Sequence, residues 1–328
     1  MESYIHLYEK NSEFTAAYNG PDYKEPWLSL TEENMEVNYN KPKLIDFSTE
    51  PLTFNILSAG TISWVASNTA STKTIDYNLN DGDWTSITSN TEGIKITVNP
   101  GDKIQFRGDN TAYCGDNPDL RSTFGGSTAE FEVEGNIMSL INSTDFSTLT
   151  TLESNFTFAF LFINCTGLTS AENLILPANS LAEGCYAGMF AVCSSLKTTP
   201  ELPANTLATS CYDSMFLGCT SLTTAPELPA TNLAQGCYAS MFIGCSKLTS
   251  APELPATTLI DSCYDSMFQG CTSLNYIKCL ATNISAKNCT YNWVGNVART
   301  GTFVKASSMT SWTTGTKGIP KGWAVQDA

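Results

Sequence analysis

Between residues 46 and 135 apolar and polar residues alternate. The runs TISWVAS, TIDYNL, GIKITVN, KIQFRG and AEFEVEG have the two-residue period of a strand with one buried face. Turn signals separate them at Asn80-Asp81-Gly82, Asn99-Pro100-Gly101-Asp102 and Gly125-Gly126, and Asp81-Gly82 between two such runs predicts a hairpin. Short strands at this spacing predict a small antiparallel β-sandwich.

Further along, the period changes. Leu207, Cys211, Met215 and Cys219 recur every four residues, which predicts one apolar stripe on a helix, widened by Phe216. Asn205 or Thr206 would cap its start and Gly218 its end. The following SLTTAPELPA offers Leu222, Ala225 and Leu228 as an extended inward set, and Pro226 and Pro229 forbid a helix there. Neither wall buries its face alone. The unit recurs: the first cysteines stand at 185, 211, 237, 263 and 289 and the second at 193, 219, 245 and 271, always 26 apart. FTFAFLFINC before the array and ISAKNCTYNWVGNV after it keep the frame in eroded form, as the ends of a stacked array do. The fold class expected is α+β: an N-terminal arm (1–45), a β-sandwich (46–135), a solenoid of 26-residue period (136–300) and a closing segment (301–328).

The cysteines change this picture little. On a helix, residues eight apart lie about 12 Å apart along the axis, and a disulfide needs Cα atoms within about 7 Å. Zinc sites prefer CxxC-like spacing in closed sets of four. Buried free thiols are the expectation, with bridges between neighbouring units and a metal site as alternatives. Cys114, Cys165 and Cys279 do not alter that reading.

Charge narrows the partners. The 328-residue chain has a net charge of −15, which disfavours nucleic acid and anionic lipid. No apolar run of about 18 residues is present, so no membrane-inserted helix is expected. The first twenty residues, MESYIHLYEKNSEFTAAYNG, lack a basic start and an apolar stretch. They predict no secretory signal, which fits a cytosolic chain, one that leaves inside a larger particle, or one whose signal has been removed. The segment to residue 45 is rich in aromatics. Tyr18, Tyr23, Trp27 and Tyr39 suit either an arm that docks on a partner or an extended segment lying on its own domain.

Candidate chemistry is sparse. The single histidine, His6, lies in the arm, which disfavours Ser/His or Cys/His catalysis. Asp102, Asp109, Asp116 and Asp119 match no calcium loop and read as turn residues. Glu201, Glu227 and Glu253 hold the same place in consecutive PELP segments. Stacked about 5 Å apart they would have the separation of a retaining glycosidase pair. A repeated column, however, has no distinct acid and nucleophile. It reads as a solvated ladder, able to gather Ca²⁺ or a cationic patch. The positions that vary within the frame mark a candidate binding face: Thr198, Thr224 and Thr249 with the Glu column, and on the other wall Glu183, Thr209, Gln235 and Asp261 with Ala187, Asp213, Ala239 and Asp265. No catalytic residue, cofactor or metal is expected.

The frame MFxGCTSLTTAPELPATxLAxxCYxxMF resembles the leucine-rich repeats of the bacterial BspA-like group, in a 26-residue variant covering roughly 136–300. GTFVKASSMTSWTTGTKGIPKGWAV resembles the closing segment of such proteins from Bacteroidetes and their phages, and the preceding sandwich is similar to theirs. The arm, with YEKNSEFTAAYNG and EPWLS, looks like the start of structural proteins of gut Bacteroidales phages. The resemblance implies a non-enzymatic solenoid that binds a protein or glycan on a host or particle surface, in a virion or, alternatively, on a bacterial cell surface. The arm, with Tyr23, Trp27 and Tyr39, would contact other virion proteins, and assembly of several copies is expected from function alone.

Overall fold

The computed structural model describes residues 6–10, 13–17, 46–117 and 119–328. It divides into Met1–Ile45 and Asp46–Ala328. In the first unit, β1 (His6–Lys10) and β2 (Glu13–Ala17) form an antiparallel ribbon pairing His6 with Ala17. Tyr18, Tyr23, Trp27 and Tyr39 lie outside the described residues.

The second unit opens with eight strands: β3 (Leu52–Ile56), β4 (Gly60–Ala66), β5 (Thr74–Leu79), β6 (Thr85–Thr88), β7 (Ile94–Val98), β8 (Lys103–Arg107), β9 (Ser122–Thr123) and β10 (Phe131–Asn136). The five predicted runs are β4, β5, β7, β8 and β10; β6 is the return strand of the predicted hairpin, and β3 and β9 are additional. Then come β11 (Leu168–Ile175), β12 (Tyr276–Cys279), β13 (Thr302–Lys305) and β14 (Ala324–Asp327). One sheet has the order β11-β10-β3-β8-β5-β6, and β7-β4-β9 form a second. The hairpin between β5 and β6 exists, but its left-handed residues are Asn80 and Asp81, one place before the predicted pair, closed by Gly82 N donating to Leu79 O at 3.1 Å. Alternation buries Phe54, Phe106 and Phe131 of the first sheet and Trp64 of the second. Phe124 joins them, 4.9 Å from Phe54 and 4.8 Å from Trp64 between ring centroids.

The pairing is antiparallel until β10, which pairs β11 in parallel. From there the 26-residue units lie on one another as successive rungs, and one apolar core runs from Leu52 to Trp323.

The predicted helix over 207–219 does not form. Among the described residues there is no α-helix, only three short 3₁₀ segments, so the fold is β-rich and not α+β. The apolar stripe instead lies on a ribbon of consecutive tight turns. Ser210, Ser214 and Gly218 have φ of 51°, 56° and 74°, and the same left-handed conformation recurs at every fourth residue in each rung. Odd-numbered N–H groups close turns three residues back, such as Met215 to Tyr212 O at 3.2 Å. Even-numbered ones cross to the next rung: Tyr212 N to Cys237 O at 3.0 Å, Ser214 N to Ala239 O at 2.8 Å and Phe216 N to Met241 O at 2.9 Å. A helix would satisfy all its interior donors within itself. Here half of them join neighbours, which makes this wall sheet-like in energy if not in shape.

Inside the ribbon, side chains form columns. Tyr186, Tyr212, Tyr238 and Tyr264 stack at centroid spacings of 5.7, 5.8 and 6.2 Å. Phe190, Phe216, Phe242 and Phe268 stack beside them at 5.5, 5.7 and 5.7 Å. At the N-terminal end Phe158 and Phe162 continue the columns to Tyr113 and Phe124. At the other end both meet Trp293, which takes the position of Met267 and stacks on Trp312 at 5.8 Å. The opposite wall keeps Leu196, Leu222, Leu248 and Leu274 fully buried, and its extended set is as expected for Leu222 and Leu228, with Ala225 partly buried.

Candidate functional site

All twelve cysteines are buried and unbridged. With no helix present, it is the turn ribbon that separates the two cysteines of each unit. Cys211 and Cys219 belong to different columns with buried Met215 between them. The thiols that influence Cys211 and Cys219 are their column neighbours Cys185 and Cys193, one rung back. In the second column each sulfur also donates to the preceding rung. Cys193, Cys219, Cys245 and Cys271 reach the carbonyls of Phe162, Phe190, Phe216 and Phe242 at 3.1, 3.2, 3.2 and 3.0 Å. Loss of solvation raises these thiols far above the ordinary range: Cys185, Cys271 and Cys279 to about 12, and Cys193, Cys219 and Cys245 well up. In the structure they are packing and hydrogen-bonding groups.

The surface carries the other candidates. Glu201, Glu227 and Glu253 are exposed, each between a buried proline and a buried leucine of the extended wall (Pro200 and Leu202, Pro226 and Leu228, Pro252 and Leu254). Period two thus explains their outward direction. Glu253 pairs with Lys278 at 2.9 Å, which raises the lysine through that hydrogen bond and leaves the last of the three carboxylates neutralised. Thr198 shares a 2.7 Å hydroxyl contact with Ser170, and the two are bridged in parallel. Thr224 follows 26 residues later and is exposed.

Thr249 does not belong to that column. Ser250 bridges Tyr276, so the column runs Ser170, Thr198, Thr224, Ser250, Tyr276, and Thr249 stands one place earlier, its carbonyl taking Asn275 N at 2.9 Å. The remaining candidate positions lie on the turn ribbon. Glu183, Thr209, Gln235 and Asp261 are exposed, whereas Ala187 is buried and Asp213, Ala239 and Asp265 are half-buried. Burial raises Asp213 above the usual carboxylate range against the opposing hydrogen bond from Ser214.

A second polar ladder escaped the sequence reading. Ser180 bridges Thr206, Thr206 bridges Asn232, and Thr258 bridges Asn283, all exposed. The signal was the polar pair after each alanine in LPANS, LPANT, LPATN, LPATT and LATN. On the first sheets, Arg107 lies 4.1 Å over the Trp84 ring and pairs with Asp76 at 3.3 Å beside a shallow hollow of about 270 Å³ lined by Thr74, Asp76, Asp109 and Asn110. Among the described residues no three of His, Cys, Asp and Glu converge so as to hold a metal ion, and no helix is long and apolar enough to cross a membrane.

No protein-family model, no curated protein and no solved structure matches the chain.

Proposed function

We propose that the chain is a non-enzymatic display protein of a phage particle, in which a leucine-rich-repeat-like solenoid presents a binding face to a partner on the host or particle surface. The observation that supports it best is the repetition of one outward surface over one continuous core. Glu201 and Glu227 recur with Thr198 and Thr224, while the leucines, tyrosines and phenylalanines beneath them stack. Such a surface suits a broad contact with modest strength per residue, gaining affinity from several copies. The arm, by its likeness to phage structural proteins, is the anchor in this reading, and the partner is a protein or glycan. The reading as a non-enzyme draws support from the like placement of Glu201 and Glu227, both exposed between a buried proline and a buried leucine, which provides no separate acid and nucleophile.

Localisation tests it. An antibody against residues 136–300 is expected to label purified phage particles and not uninfected cells. Labelling of uninfected cells would replace this reading with that of a BspA-like surface adhesin, which uses the same face. Sugar hydrolysis abolished by Glu227→Gln would replace both with an enzyme.

A further inference from the structure

The twelve thiols bear on where the chain can fold, independently of what it binds. Two facts conflict in an oxidising compartment. In the unfolded chain the nearest partner of Cys211 is Cys219, and the same Cys-x7-Cys spacing recurs in four units. Closing this nine-residue loop is favoured over closing the 27-residue loop to Cys237 by about fivefold, from the three-halves power of the length ratio. In the folded chain that pair is the wrong one. Cys211 and Cys219 stand in separate columns with Met215 buried between them, and the Cys219 sulfur points into the preceding rung at Phe190 O. A bridge within a rung would pull the two columns together, displace Met215 and remove the donor from Phe190 O.

We infer that the chain folds only where its thiols stay reduced, and that oxidation before folding diverts it into bridges within rungs. Folding itself then protects the sulfurs, since every one is buried. The step is a two-electron oxidation: two thiols lose two protons and two electrons to glutathione disulfide, which leaves as two glutathione thiols. The inference favours synthesis and folding in a reducing cytosol, as for a particle assembled inside a cell, over passage of an unfolded chain through an oxidising periplasm. It does not rest on the virion reading. A reducing cytosol also suits an intracellular binding protein, so either conclusion can fail alone.

The test is refolding of the full chain from urea, once with dithiothreitol and once with excess glutathione disulfide, followed by peptide mapping of bridges and near-ultraviolet circular dichroism. Native signal is expected with dithiothreitol. With glutathione disulfide the native yield should fall at least fivefold, with bridges 185–193, 211–219, 237–245 and 263–271 dominant. A second chain carrying Cys→Ala at 193, 219, 245 and 271 cannot form those bridges. If it folds with dithiothreitol, it should lose most of the oxidant sensitivity. Equal native yield of the unaltered chain in both buffers, bridges mainly between rungs, or undiminished sensitivity of a folded four-alanine chain would each overturn the inference.

Discussion

The rings of Tyr186 and Tyr212 lie 5.7 Å apart and 5° from parallel, and the stacking continues along the column to Trp293, where it has opened to 6.3 Å and 19°. Each ring is the floor for the next, so the energy of a rung depends on the presence of its neighbours more than on its own contacts. Met241, fully buried beside this column, tests the inward assignment most directly. Met241→Ala should cost about 2–5 kcal/mol as a core truncation, read from the urea midpoint. A loss below about 1 kcal/mol would show that the stripe is not part of the core.

Gly188 is the sharpest test of the turn ribbon. It sits at φ 59°, and a Cβ there would meet the Phe160 ring at 2.3 Å. Gly188→Ala should destabilise by about 1–3 kcal/mol, and Phe160→Ala in the same chain should recover part of that loss. At Gly218, φ 74°, the nearest atoms stand at 3.6 Å, so Gly218→Asn should cost less than Gly188→Ala. Equal costs at the two positions would mean that the ring does not lie where the fold puts it.

Much of this fold was legible. Five strands of 46–135 announced themselves by alternation, and the 26-residue frame by its cysteines; β3, buried at four of its five positions, and the two-residue β9 carry no such period. The turn ribbon was misread because an apolar period of four lies close to 3.6. The distinguishing signal stood beside the apolar residues: Ser210, Ser214 and Gly218 in one rung, Asn288, Asn292 and Asn296 in another. Gly and Asn tolerate positive φ, and Ser, Asn and Gly at every fourth place are poorer choices for a helix interior than for repeated turns. Thr249 falls outside the Thr198–Thr224 column for a simpler reason: the 26-residue step from Thr224 leads to Ser250, and the threonine stands one place before it.

Alkali should unfold the chain early. Burial raises the thiols of both columns above their value in the unfolded chain, near 9. Below that value both states hold the proton, and the stability is intact. As pH rises past it, the unfolded chain releases protons that the folded chain keeps, so stability falls until the folded values are reached. Each such thiol contributes a loss of up to about 1.4 kcal/mol per pH unit. The urea midpoint should therefore hold between pH 7 and 8 and drop steeply between pH 9 and 10. A midpoint unchanged from pH 8 to pH 10 would contradict the burial of these columns.

Thiol-reactive reagents should find nothing to modify in the native protein at pH 7.5 and all twelve cysteines in urea. Rapid labelling of Cys211 or Cys219 before unfolding would count against the column arrangement.

The exposed carboxylates should matter to binding and not to folding. Glu201→Gln, Glu227→Gln and Glu253→Gln together should shift the urea midpoint by no more than surface substitutions do, about 0.5 kcal/mol each. Loss of attachment to the partner surface in the triple variant would assign the face. Unchanged attachment would move attention to the ladder through Thr206 and Asn232.

The alternation of N–H groups along the turn ribbon carries a mechanical consequence. Bonds that cross from Tyr212, Ser214 and Phe216 to the next rung run with the stack, while those that close turns run across it. Tension between the two ends of the chain would therefore peel rungs one after another rather than shear them together. Each release would free 26 residues, roughly 90 Å of contour at about 3.4 Å per residue, and the force trace would show near-identical teeth, one for every tyrosine that loses its floor.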